Sequence, residues 1–211
     1  MSPKKAKRIY QVLAKIIPNP TTELKHSSPF ELLVAVILSA QATDISVNRA
    51  TDSLFEIANT PVLMRKLGLR KLKNHIKSIG LYNTKAEHIL RASHIIEKIY
   101  NGVIPSNREG LESLPGVGRK TANVVLNTAF GMPTIAVDTH IFRVANRTGL
   151  AAGGTVLEVE KGLLKITPRE YLQNAHHLLI LHGRYTCTAR KPRCNNCPIY
   201  QECGYKDKLT L

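Results

Sequence analysis

The stretch from Ser28 to Ser39 constrains this chain more than any other. It opens Ser28-Pro29-Phe30-Glu31 and continues as an unbroken apolar run, Leu32 to Leu38. Ser28 and Glu31 have the spacing of a capping box, and a proline suits the first helical turn. The spacing predicts a helix over about 29–40. A helix that is apolar all round is stable in water only if other elements cover it on every side. The run is too short to span a bilayer. The chain is therefore expected to build a globular core around this helix.

The remaining segments supply the cover, and almost all of them read as helix. Ile9, Val12, Leu13, Ile16 and Ile17 recur at helical spacing and predict a helix over about 4–17, ended by Pro18 and Pro20. Thr43 or Asp44 can cap the next helix. Thr60-Pro61 opens a short one that Gly68 stops, and a further one runs over 69–78 to Gly80. Asn83 can cap a longer helix reaching Asn101-Gly102. Helices are expected over about 107–113 and 119–130, and from Asp138 or Thr139 to about 148. Thr155 to Glu158 and Thr167 to Glu170 have capping-box spacing, and a last helix runs to about Tyr185. Only Thr134 to Val137 alternates like a strand. The fold class is all-α.

Thirty Lys and Arg against fifteen Asp and Glu give a net charge of +15 over 211 residues, which points to a polyanionic partner, nucleic acid first. The basic N-terminus is not followed by an apolar signal segment, and the expected setting is the cytoplasm.

The segment Leu114-Pro115-Gly116-Val117-Gly118-Arg119-Lys120-Thr121-Ala122 joins two of the expected helices through a glycine-punctuated turn. Its glycines permit unusual backbone angles and close approach of another backbone. Its amides stand at a helix N-terminus, where the dipole favours an anion such as phosphate. A nucleotide P-loop needs glycine where Arg119 stands, and a dinucleotide fingerprint needs one at Thr121. Lys120 sits where the dipole repels cations, a poor place for a structural lysine. It is either a phosphate ligand or an amine that reacts. Asp138 follows the apolar Thr134-Ile135-Ala136-Val137, and its simplest reading is a helix N-cap.

All four cysteines fall in Cys187-x6-Cys194-x2-Cys197-x5-Cys203. Four thiolates suit zinc or a 4Fe-4S cluster by number, and the single Cys-x-x-Cys pair leans toward iron–sulfur. Between the first two ligands lie Arg190, Lys191 and Arg193, available to DNA phosphates or to solvent. His176, His177 and His182 lack metal spacing among themselves and read as core or surface residues.

The turn resembles the helix-hairpin-helix of DNA glycosylases, over about 107–130. Together with Val137-Asp138-Thr139-His140, Ser39-Ala40-Gln41-Ala42-Thr43-Asp44, Gly80-Leu81-Tyr82-Asn83 and the cysteine segment, it is similar to the endonuclease III branch of that superfamily along essentially the whole chain. The resemblance implies two helical domains flanking a DNA-binding cleft. One is a six-helix domain over 22–132; the other joins 1–21 to 133–211 and holds a 4Fe-4S cluster on Cys187, Cys194, Cys197 and Cys203. It implies a monomeric base-excision repair enzyme that removes oxidised pyrimidines from duplex DNA and nicks the strand 3′ to the abasic site. Lys120 would be the nucleophile and Asp138 its acidic partner. Leu114, Gly116, Val117, Gly118 and Arg119 would grip the DNA backbone, with Lys191 adding a contact from the cluster loop. Gln41 and Leu81 would enter the base stack; on the residues alone, Gln41 is a loop residue and Leu81 a core leucine. Without catalysis, the same features would describe a DNA-binding module with a structural zinc site.

Overall fold

Residues 28–39 form the helix their composition demands. The computed structural model describes residues 1–209, whose regular elements are all helices and which contain no strand. The α-helices, in chain order, are α1 (Pro3–Ile16), α2 (Pro29–Ser39), α3 (Asp44–Ile57), α4 (Pro61–Leu67), α5 (Leu69–Ile76), α6 (Tyr82–Ile99), α7 (Arg108–Glu112), α8 (Arg119–Phe130), α9 (Thr139–Thr148), α10 (Val156–Ile166) and α11 (Leu172–Tyr185). The fold is all-α, as the periodicity predicts. Thr134 to Val137 forms no strand; Ile135, Ala136 and Val137 are buried.

The chain divides into two units, Thr22–Gly131 and Met1–Thr21 with Met132–Leu211. In the first, α2 packs against α3, α6 and α8, and every residue from Phe30 to Leu38 is buried. Each buried Leu, Ile or Val contributes about 1.5–3 kcal/mol relative to exposure, so this helix anchors the unit. The unit contains seven α-helices among the described residues, one more than the six expected. Gly68, at φ 78°, separates α4 from α5. In the second unit α1, α9, α10 and α11 share a core of Ile9, Leu13, Ile141, Val144, Val159, Leu163, Leu178 and Leu179. The buried Tyr10 hydroxyl meets Thr167 Oγ1 at 2.8 Å.

Three of the expected caps differ. The Ser28 hydroxyl accepts from the Glu31 amide, but the Glu31 carboxylate accepts from Ser27 N–H at 2.6 Å rather than from Ser28. Asn83 caps nothing: α6 starts one residue earlier, after Leu81, which holds a left-handed backbone. Thr167 ends α10 and returns its hydroxyl to the Leu163 carbonyl at 2.7 Å, so only a short 3-10 turn, Arg169–Tyr171, follows. The capping box at Thr155 forms in full.

Candidate active site

The hairpin grows from local rules. Asn107 Oδ1 accepts from the Gly110 amide at 2.7 Å and opens α7. The Leu114 and Val117 amides donate to the Leu111 and Leu114 carbonyls at 3.1 Å, tightening the turn in two steps. Leu111, Leu114, Val117, Ala122 and Val125 are buried and pack the two helices together. Gly116 takes φ 80°, and a Cβ there would lie 2.9 Å from His88 Nδ1 on α6. Glycine is needed at this position for both reasons.

This geometry leaves the other side of the turn open. Gly116, Gly118, Arg119 and Lys120 are exposed, and the first turn of α8 carries no acidic side chain. Lys120 is the second residue of α8. Leu114 and Val117 are buried and their amides bond within the turn, so both shape the hairpin from inside.

Two further expected DNA contacts belong to the same unit. Gln41 and Leu81 hold φ 58° and 59°, and both are exposed, Leu81 by 65%. Leu81 is therefore not a core leucine. A left-handed backbone costs a residue with a side chain roughly 1–2 kcal/mol. Such strain persists where the surrounding structure enforces it.

In the other unit, Asp138 caps α9, its Oδ1 accepting from the Ile141 amide at 2.8 Å. The simplest reading of that aspartate is thus correct in structure, and Thr139 is not the cap. The buried Ile135-Ala136-Val137 segment fixes the approach to it.

The same helix reaches the cysteine segment at its far end. Arg147 of α9 donates to the Thr188 and Ala189 carbonyls at 2.7 and 2.8 Å. It also lies 3.7 Å from Cys187 Sγ and 4.7 Å from the Tyr205 ring centroid. Arg143, one turn earlier, donates to the Cys187 and Gly183 carbonyls at 2.9 Å. Neither arginine was singled out from the sequence. Their spacing of four places both on one face of α9, but their acceptors are main-chain carbonyls, which leave no mark in the residue pattern.

Cys187, Cys194, Cys197 and Cys203 line one cavity with His182, Ile199 and Tyr205. Among the described residues no group of three His, Cys, Asp or Glu is arranged to hold a single metal ion. Zinc would gather its ligands at about 2.3 Å from one centre, whereas a cluster spreads its thiolates over several irons. Burial pushes the Cys197 thiol up to about 11 against the opposing hydrogen bond from Ile199 N–H. Burial also raises Cys194, opposed by Arg147 and Lys208. Ligation to a cluster would displace these protons, and Arg147 and Lys208 nearby would suit the negative charge that results. Lys191 is exposed, and its carbonyl accepts from the Thr188 hydroxyl at 2.6 Å. His176, His177 and His182 are core residues, with His182 Nε2 lying 3.9 Å from Cys197 Sγ.

A glycine hairpin presenting exposed amides and a lysine, on an all-helical frame with a tetracysteine segment, defines a helix-hairpin-helix protein of the DNA-glycosylase class. Comparison with known proteins makes this specific. Residues 34–169 match the HhH-GPD superfamily of base excision DNA repair proteins, and residues 187–203 match the iron-sulfur binding domain of endonuclease III. Endonuclease III of Escherichia coli (strain K12) is 60% identical over 210 residues, 98% of this chain and 99% of that protein. Endonuclease III of Haemophilus influenzae is 61% identical over 208 residues, 97% and 98% of the two chains. A solved structure of a trapped endonuclease III–DNA covalent intermediate, an estranged-adenine complex, has a TM-score of 0.92 at 44% identity. The match covers 100% of this chain and 98% of that one. The chain belongs to the endonuclease III family of the HhH-GPD superfamily. It carries a 4Fe-4S cluster, which sets aside the zinc-module reading. Among the described residues no helix is long and apolar enough to cross a membrane.

Proposed function

We propose that Lys120 and Asp138 carry the chemistry of this chain. The chain is a base-excision DNA glycosylase and AP lyase that acts on duplex DNA. The observation that carries the assignment is the exposed Lys120, set directly after a hairpin whose Gly116, Gly118 and Arg119 are exposed too. The hairpin amides and Arg119 bind the phosphates flanking a damaged nucleotide, with Lys191 adding charge from the cluster loop. Leu81 enters the stack as an apolar wedge and Gln41 fills the gap left by the extruded oxidised pyrimidine.

Lys120 Nζ attacks C1′ of that nucleotide. The C1′–N bond breaks, its electron pair leaves with the base, and the base takes up a proton. Loss of the amine proton and opening of the sugar ring give an imine. Its protonated form acidifies the C2′ hydrogens; removal of one expels the 3′ phosphate by β-elimination. Hydrolysis then frees Lys120. The Asp138 carboxylate assists by accepting the amine proton or by stabilising positive charge on the sugar, while remaining the cap of α9.

Cys187, Cys194, Cys197 and Cys203 hold the cluster, whose bonds to four thiolates cross-link segment 187–203. The enzyme acts as a monomer in the cytoplasm, on the nucleoid. Borohydride reduction in the presence of duplex DNA bearing an oxidised pyrimidine is expected to trap a covalent complex, and Lys120→Gln to abolish it. A Lys120→Gln protein that still traps would overturn the nucleophile assignment.

A further inference from the structure

Lys85 is a buried cation that the chemistry above does not use. It lies in the first turns of α6 and is only 6% exposed. Its ammonium donates to the Leu38 carbonyl at 2.8 Å and the Ala40 carbonyl at 2.6 Å. No carboxylate pairs with it among the described residues. Burial pulls its pKa below the ordinary lysine value. A methionine or leucine would fill this space without desolvating a charge, so the ammonium's particular contribution is to bond these two carbonyls.

The bonds matter because of what adjoins them. Leu38 and Ala40 are the last turn and C-cap of α2, where carbonyls lack helical partners. The next residue is Gln41, at φ 58°. The Lys85 main-chain N–H donates to the Leu81 carbonyl at 3.1 Å, closing the first turn of α6 directly behind Leu81, at φ 59°. One residue therefore ties together the backbones behind Gln41 and Leu81, which supply two of the three left-handed non-glycine positions among the described residues.

We propose that Lys85 is a positioning residue that locks the Gln41 and Leu81 loops into a single two-pronged wedge, so that both side chains enter the DNA stack in a fixed mutual geometry. The inference rests on the wedge roles given to Gln41 and Leu81 above. Lys85 itself touches neither DNA nor the reacting atoms.

The test compares two duplexes, one with a paired thymine glycol and one with a preformed abasic site in an unpaired bulge, where little extrusion work remains. Lys85→Met keeps the stem and loses the donors. It is expected to slow single-turnover base removal from the paired duplex by roughly 10- to 100-fold. Cleavage of the bulged abasic site should change far less. The fluorescence rise of 2-aminopurine opposite the lesion should fall in parallel. In a Gln41→Ala/Leu81→Ala background the same substitution should have no further effect on the paired duplex, because the prongs it aligns are gone.

Equal losses on both duplexes, or a Lys85→Met effect that persists in that background, would overturn the proposal. If the Gln41→Ala/Leu81→Ala protein removes the paired base at the normal rate, the wedge reading fails and the clamp fails with it. If that protein is slow but Lys85→Met is not, the wedge stands and the clamp alone is wrong. Should Lys85→Met not fold, Lys85→Leu is read on both duplexes. It carries no donor for either carbonyl, and an unchanged ratio of the two rates overturns the inference.

Discussion

Gly116 shows how much depends on a single hydrogen in place of a side chain. Its φ of 80° costs glycine little but strains any residue with a side chain, and the space a Cβ would occupy is held by His88, with Nδ1 2.9 Å and Cβ 3.0 Å away. Gly116→Ala is expected to destabilise the first unit by about 1–2 kcal/mol from the backbone alone. Displacement of the His88 ring adds to this. The substitution should weaken DNA binding as well, because the turn that aims the amides is deformed. Thermal denaturation and a binding titration at fixed salt check the two effects. The need for glycine here is legible in the sequence, since a Gly-x-Gly turn before a helix narrows the choices. The partner His88 is not legible, because it lies on a helix remote in sequence. The same limit hides Lys85: nothing in Tyr82-Asn83-Thr84-Lys85 distinguishes a buried ammonium on main-chain carbonyls from a solvated lysine.

At the scale of the element, α6 links the proposed wedge to the hairpin turn within its unit. Its N-terminus carries Leu81, its first turns carry Lys85, and its middle carries His88 against the hairpin turn. The sequence reads the helix correctly and its start wrongly. An asparagine near a helix start suggests a cap. The structure instead begins α6 one residue before Asn83 with an uncapped leucine in a left-handed conformation. Local capping rules fail here because α2 and α6, joined through Lys85, fix the loop from outside. The strain is measurable. Leu81→Gly removes a penalty of roughly 1–2 kcal/mol and adds about 0.5–1 kcal/mol of unfolded-state entropy, so a net gain of several tenths of a kcal/mol is expected. Loss of a 65% exposed leucine forfeits little burial. Base removal from a paired duplex should slow in the same protein. A stabilised but slower enzyme would show that the strain is retained for function. A destabilised one would show that Leu81 packs in a way its exposure does not reveal.

At the scale of the whole molecule, the all-α class follows from periodicity, whereas the division into units depends on which apolar faces meet. A sequence that leaves one core at Thr21 and returns to it at Met132 gives no local sign of doing so. Two cores also mean two stabilities, and the discontinuous unit contains a built-in acid sensitivity. His177 on α11 is 6% exposed, and burial lowers its pKa from 6.5 to about 4. Between those values the unfolded chain binds a proton that the folded chain excludes. Stability therefore falls as pH drops from about 6.5 toward 4, by up to about 3 kcal/mol, and is fully retained above the unfolded value. Lowering the pH from 7.5 to 5 should therefore lower the amide protection factors, corrected for intrinsic exchange, in α1, α9, α10 and α11 before those in α2 or α8. His177→Leu, which keeps the site apolar, should flatten part of the pH slope of melting and leave stability at pH 7.5 within about 1–2 kcal/mol. If α2 and α8 open together with α9 and α11 at every pH, the two cores unfold as one. His177 would then set the stability of the entire chain rather than of one unit.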